Sequence, residues 1–129
     1  MRKPTVLTDL YQWLRQSLSG QDPQITSEPQ CGFFRRRLVR GGPWVPCRIW
    51  LHQEIQEGEL VAEERLRCEV DGKEACPIEQ WTYLAARPVS EADYNYMVAT
   101  SRWARKHAPE EAEANPGEKV DFLKLPLPF

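Results

Sequence analysis

The side chains best suited to molecular recognition lie in one short run, where arginines alternate with aromatic rings between positions 33 and 50. Guanidinium groups make planar, bidentate contacts with phosphate or carboxylate groups, and flat rings can stack on nucleic-acid bases. The candidate binding residues are therefore Phe34, Arg35, Arg36, Arg37, Arg40, Trp44, Arg48 and Trp50. The pattern fits a plain structural surface, a contact with a partner protein, or a contact with nucleic acid.

The arginine triple at positions 35–37 adds a geometric constraint. Successive side chains on a strand point to opposite faces. At least one of the three arginines must therefore lie on the face opposite its neighbours. Either that arginine snorkels out from the core side, or the sheet is exposed on both faces at this point.

The residue types that perform catalysis do not form a recognisable arrangement. Cys47 and His52 are five residues apart, so on a strand they face opposite sides, which disfavours a Cys–His nucleophile pair. His107 falls at a predicted helix end, where a cation favours the helix dipole. The sequence contains neither a GxxxxGKS/T nor a GxGxxG phosphate-binding motif. We expect a non-enzymatic protein without catalytic residues or cofactor.

Metal binding and disulfide formation are also not expected. The carboxylates between positions 54 and 64 lack histidine or aspartate at ligand spacing, which predicts a solvated surface. The four cysteines form no CxxC pair and are predicted to be buried free thiols: Cys31, Cys47, Cys68 and Cys76. The start of the chain lacks a signal-like apolar core, and no apolar run approaches bilayer length. We expect a cytoplasmic protein with no membrane contact.

Charge is distributed unevenly along the 129 residues, although the net charge is only −2. Residues 1–52 contain eight basic and three acidic side chains, a net charge of +5, which leaves −7 for the remainder. A split of this kind suits a protein that meets charged partners.

Hydrophobic spacing and turn residues predict one α+β domain over 1–129. Apolar residues at spacings of three and four predict a helix over 5–19, and alternation broken by Gly41-Gly42 and Asp71-Gly72 predicts a β-meander over 31–86. Residues 73–86 are expected to form one or two short strands, or a strand and a turn. Ser90 caps a second helix over 90–107, followed by an extended tail over 109–129. The sheet is expected to be small and antiparallel, or a partly open barrel, flanked by the two helices.

Several of these segments resemble a group of small uncharacterised accessory proteins encoded in phages and prophages of proteobacteria. The resemblance spans residues 32–129 and rests on GFFRRRLVRGGPWVPCRIW, CEVDGKEACP, PVSEADYNYMVATSRWARKHAP and the closing PLPF. It implies a mobile-element protein expressed inside a bacterium, and it carries over no catalytic residues.

Proteins of that class often act as adaptors or as inhibitors of host machinery, which gives a functional expectation by analogy. We expect this chain to bind and modulate or inhibit a host or phage protein or nucleoprotein complex, in the manner of an anti-CRISPR or other counter-defence protein. A nucleic-acid-binding module that uses the aromatic and arginine strand surface is the alternative.

Overall fold

An open, five-stranded antiparallel sheet organises the chain in a computed structural model, which describes residues 4–5, 7–19 and 27–118. The strands lie in the order β6-β5-β2-β1-β7. Their bounds are Gly32–Arg37 for β1, Trp44–His52 for β2, Arg65–Val70 for β5, Lys73–Ala75 for β6 and Pro88–Val89 for β7. The predicted α+β class is confirmed. The alternative of a partly open barrel is wrong, because the short strands β6 and β7 leave the sheet with two separate edges.

One face of the sheet forms the hydrophobic core with Trp13 and Leu14 of the N-terminal segment and with residues 81–85. The predicted helix over 5–19 is broken at Tyr11 into α1 (Leu7–Leu10) and α2 (Gln12–Leu18). The buried cluster contains Trp13, Leu14, Phe34, Val45, Cys47, Ile49, Cys68, Val70, Trp81, Leu84 and Ala85. In β2, Val45, Cys47 and Ile49 belong to this cluster, because every second residue of a strand faces the same side, and Pro46 is buried as well.

Residues 77–84 form a helix, which corrects the prediction of strands or a turn over 73–86. Only Lys73–Ala75 is a strand there, and helix α3 follows at Pro77–Leu84. Proline suits the first turn of a helix because its missing N–H would have no partner at that position. Trp81 and Leu84, three residues apart, turn to the core, where the Trp81 ring lies 5.7 Å from that of Phe34. Burial of this pair favours the helix over the strand propensity of Ile78, Thr82 and Tyr83.

The long helix α4 (Glu91–His107) lies on the opposite face of the sheet and confirms the helix predicted over 90–107. The Ser90 side chain accepts a hydrogen bond from the backbone N–H of Asp93 at 3.1 Å, as an N-cap should. Near the other end, Arg105 pairs with Asp71 at 2.6 Å. Asp71 lies in the turn between β5 and β6, so this contact ties the helix to the sheet.

The remaining segments are short. Strands β3 (Ile55–Gln56) and β4 (Glu59–Leu60) form a short acidic hairpin, with Glu57 and Gly58 at positive φ in its turn. Beyond α4 the predicted extended tail instead begins with a 3-10 helix at Ala112–Ala114. The rest of that prediction, residues 119–129, lies outside the described residues.

Candidate anion-binding surface

Cross-strand pairing of β1 with β2 surrounds the Trp44 ring with guanidinium groups. Arg37 lies directly opposite Trp44. The guanidinium carbons of Arg35 and Arg37 lie 4.4 and 4.3 Å from the ring centroid. Arg87, whose carbonyl accepts a hydrogen bond from the Arg35 backbone N–H, contributes a third guanidinium at 5.8 Å. A cation within about 6 Å of an indole is attracted by the ring quadrupole, so these three arginines are gathered around one aromatic support.

Arg36 is the member of the arginine triple that lies on the core-side face of the sheet. Its side chain extends from that face to helix α3. Its guanidinium lies 4.0 Å from the centroid of the Tyr83 ring. Nη1 donates a hydrogen bond to Oε1 of Gln80 at 2.6 Å. The arginine therefore snorkels between the core and the surface, as one of the two predicted alternatives required.

The guanidinium groups of both faces meet around a cleft at the end of the sheet where β1 turns into β2. Its volume is about 410 Å³, and Arg40, Leu38 and Val39 of the connecting turn contribute to its wall. We call this region the open cluster and define it as Arg35, Arg36, Arg37, Arg40 and Arg87 with the rings of Trp44 and Tyr83.

No carboxylate neutralises the open cluster within residues 4–5, 7–19 and 27–118. Among these residues, none of its five guanidinium groups has a carboxylate oxygen within 4.0 Å. The hydrogen bonds found there go to neutral oxygens: Arg36 donates to Gln80, and Arg87 Nη1 donates to the Tyr83 carbonyl at 2.7 Å. These contacts orient the arginines and leave their positive charge uncompensated within that part of the chain.

A second group of arginines on the same sheet is neutralised. We call it the paired cluster and define it as Arg48, Arg67, Trp50, Glu69 and Glu74. The guanidinium groups of Arg48 and Arg67 lie 4.2 and 5.5 Å from the Trp50 ring centroid. Arg48 bonds to Glu69 at 3.0 Å, and Arg67 bonds to Glu74 at 2.9 Å. The hydrogen bond that Arg48 Nε donates to Glu69 raises the pKa of Arg48, although partial burial opposes that effect.

The predicted binding residues therefore separate into three groups. Phe34 is fully buried in the core, so its prediction as a contact residue is wrong. It falls on the core side because alternate strand residues change face. Arg48 and Trp50 belong to the paired cluster, and the other candidates belong to the open cluster. Sequence reasoning missed Tyr83, which helix α3 brings to the arginine strand, and Arg87, which a backbone hydrogen bond joins to Arg35.

The cysteines and histidines do not assemble into a reactive site within the described residues. Burial raises the pKa of Cys47 to about 12 and that of Cys68 to about 11. Cys76 is exposed, which corrects the prediction that all four thiols are buried. His52 lies opposite Arg65 in the ladder, with Nε2 3.8 Å from Glu54. Within the same ranges, no three His, Cys, Asp or Glu side chains form a group that could hold a metal ion.

No protein-family model, curated protein or solved structure matches the chain. In the part of the chain that the structure describes, no helix combines the length and apolarity that a membrane crossing requires.

Proposed function

We propose that this chain is a non-enzymatic binding protein that modulates or blocks a macromolecular complex by docking its open cluster on an acidic surface of a partner protein. The observation that carries this proposal is the gathering of four guanidinium groups around two rings, with Arg40 beside the same cleft and no carboxylate within 4.0 Å of the five in the described ranges. Arginine is enriched at the anchoring positions of protein interfaces, and an acidic patch would supply the missing countercharge.

The contacts that the Trp44 ring already makes favour carboxylate recognition over base stacking. Trp44 already has two guanidinium groups within 4.4 Å of its centroid, and it also borders a small cavity lined by Tyr96 and Met97 of α4. A base that stacked on this indole would have to displace one of these neighbours. The guanidinium edges keep N–H donors in fixed directions, which suits bidentate contacts with carboxylates.

The charge of the whole molecule favours a compact acidic target over a long polyanion. The net charge is −2, and the neighbouring arginines of the paired cluster are neutralised. A nucleic-acid strand usually needs an extended basic track, because its affinity grows with the number of phosphates neutralised. The open cluster occupies one end of the sheet, so it fits a local patch on a protein.

Capture from bacterial lysate with matched bait proteins tests this proposal. The open-cluster variant carries Arg35→Glu and Arg37→Glu, and the control variant carries Arg65→Glu and Arg67→Glu, which gives the same change in net charge. We expect the wild type and the control variant to retain the same acidic partner in stoichiometric amounts, and the open-cluster variant to lose it. Equal recovery by both variants, or no partner for the intact protein, would count against the proposal.

Single-stranded nucleic acid is a second candidate, favoured by the Tyr83 ring. Tyr83 is 49% exposed even with the Arg36 guanidinium 4.0 Å from its ring centroid, and it lines the same cleft as four arginines; aromatic–base stacking is sequence-tolerant. Fluorescence anisotropy with labelled oligothymidylate at low salt tests it. Binding that weakens steeply with added salt would favour this candidate, and no binding at low salt would remove it. The phage context and the counter-defence role rest on the resemblance and stay predictions.

A further inference from the structure

Helix α4 presents an aromatic stripe to the outside of the molecule. Tyr96 and Trp103 are 73% and 60% exposed, and the exposed small residue Ala99 lies between them. Residues at spacings of three and four share one face of a helix. The face turned to the sheet carries the buried Ala104, and Met97 and Thr100 line a cavity over β2 that Tyr96 also borders. Contiguous exposed apolar patches on proteins are characteristic of interaction surfaces.

The charges at the two ends of α4 have opposite signs. Glu91 and Asp93 lie in the first turn, and Lys106 and His107 lie in the last turn beside Arg105. All of these side chains are exposed. Arg105 already pairs with Asp71, while Lys106 and His107 have no carboxylate within 4.0 Å in the part of the chain described here.

We propose that α4 is the interface of a symmetric dimer, in which two copies of the helix pack antiparallel across Ala99. Tyr96 lies three residues before Ala99 and Trp103 four residues after it. A two-fold axis near Ala99 therefore brings Tyr96 of one copy beside Trp103 of the other. The acidic first turn of each copy then meets the basic last turn of its neighbour, and the two helix dipoles oppose each other.

The features that favour a second copy, over an unrelated partner, are all within α4. A two-fold interface must be complementary to itself, because each surface element contacts its symmetry mate. Here the two aromatic side chains, the small central residue and the opposite end charges satisfy that condition on one helix. The arrangement also gives an apolar centre with a charged rim, the usual anatomy of a protein interface. The inference does not depend on the open cluster, so either proposal can fail alone.

Sedimentation equilibrium of the full chain tests the dimer, at protein concentrations up to about 0.1 mM. We expect a reversible dimer for the wild type. Trp103→Ala should raise the dissociation constant at least about tenfold, since interface tryptophans dominate binding energy. Ile78→Ala is the matched control: Ile78 is 74% exposed on α3, so its loss should leave association unchanged. A wild-type monomer throughout this range, or a dimer insensitive to Trp103→Ala, would overturn the proposal.

A charge-swap experiment tests the antiparallel arrangement through the charges at the two ends of the helix. One variant carries Glu91→Lys and Asp93→Lys, so both ends of α4 are basic. The other carries Lys106→Glu and His107→Glu, so both ends are acidic. We expect each variant alone to be monomeric and an equimolar mixture to form a heterodimer, which opposite end charges stabilise. Homodimers of either variant as stable as the wild type, or a mixture that stays monomeric, would contradict an antiparallel pair.

Discussion

Two tryptophans on the same sheet each carry arginines, yet only one of the two groups is neutralised. Trp44 and Trp50 both have guanidinium groups within 6 Å of the ring centroid. Around Trp50, strands β5 and β6 supply Glu69 and Glu74, which pair with Arg48 and Arg67. Around Trp44, the described residues supply a third arginine, Arg87, and no carboxylate within 4.0 Å of these guanidinium groups, while Glu113 lines the small cavity between Trp44 and α4.

Strand neighbours explain this difference. Glu69 lies directly opposite Arg48 in the β2–β5 ladder, and side chains opposite one another in an antiparallel pair are in contact. On the other side of β2, the next strand in the sheet is β1, and beside it at the edge lies the two-residue strand β7. Strand β7 pairs only with Phe33 and Phe34 of β1. The arginines that follow them have no further strand beside them to provide countercharges. Because the edge strand is short, the open cluster receives no countercharge from it and can pair with the acidic groups of an external partner.

The largest expected effect comes from reversing charge in the open cluster. With a fluorescein-labelled octaglutamate peptide as probe, Arg35→Glu with Arg37→Glu should lower affinity at least about tenfold, a change of about 1.4 kcal/mol. Like charges would then face the peptide. Anisotropy at low salt measures the affinity. The control variant Arg65→Glu with Arg67→Glu should lose much less, and an equal loss in both would mean that only net charge matters.

Removing the carboxylates of the paired cluster should convert it into a second open cluster. Glu69→Gln with Glu74→Gln leaves Arg48 and Arg67 without their ion pairs, so octaglutamate affinity should rise about two- to fivefold by added electrostatic attraction. Because surface ion pairs contribute about 0–1 kcal/mol each, the free energy of unfolding should fall only slightly. Titration calorimetry and urea denaturation check the two quantities. Unchanged affinity would show that the missing carboxylates are not what distinguishes the clusters.

Removing one ring at a time should have a smaller effect. Trp44→Leu takes away the support that gathers the guanidinium groups, and a cation–π contact at an exposed site contributes about 0.5–1 kcal/mol. Octaglutamate binding should therefore weaken about two- to fivefold. Trp50→Leu is the matched control and should leave binding unchanged. If Trp50→Leu weakened binding as much as Trp44→Leu, the two rings would have equivalent roles.

The smallest expected effect is that of pH. Guanidinium groups remain protonated throughout the physiological range, and glutamate side chains of the probe are ionised above about pH 6. Octaglutamate affinity should therefore stay constant between about pH 6 and about pH 9, measured at fixed ionic strength. Stronger binding as the pH falls through about 6.5 would assign the contact to a histidine instead.

Local signals in the sequence predicted most of the elements but not helix α3. Ser90 defines the start of α4, and Asp71-Gly72 defines the turn between β5 and β6, because caps and tight turns depend on a few adjacent residues. Helix α3 depends on burial of Trp81 and Leu84 against Phe34 and Trp13. That contact joins segments far apart in the chain, so propensity within the segment could not reveal it.

The residue types of the site could be predicted from the sequence, but the ion pairs between its side chains could not. The arginine and aromatic strand is visible in the sequence, whereas the neutralisation of Arg48 depends on the register that places Glu69 opposite it. A one-residue shift would move that carboxylate to the other face. Arg87 joins Trp44 from more than forty residues away, through a backbone hydrogen bond to β1. Contacts between residues this far apart in the chain depend on the tertiary structure, so the sequence did not reveal them.

The most direct test of the open cluster is a proton–nitrogen NMR titration of the arginine Nε–Hε groups with unlabelled octaglutamate. Single Arg→Lys variants assign the signals. We predict that the signals of Arg35, Arg37 and Arg87 shift progressively as peptide is added, while those of Arg48 and Arg67 stay in place because Glu69 and Glu74 already hold them. Equal shifts in both clusters, or shifts confined to the paired cluster, would contradict this account.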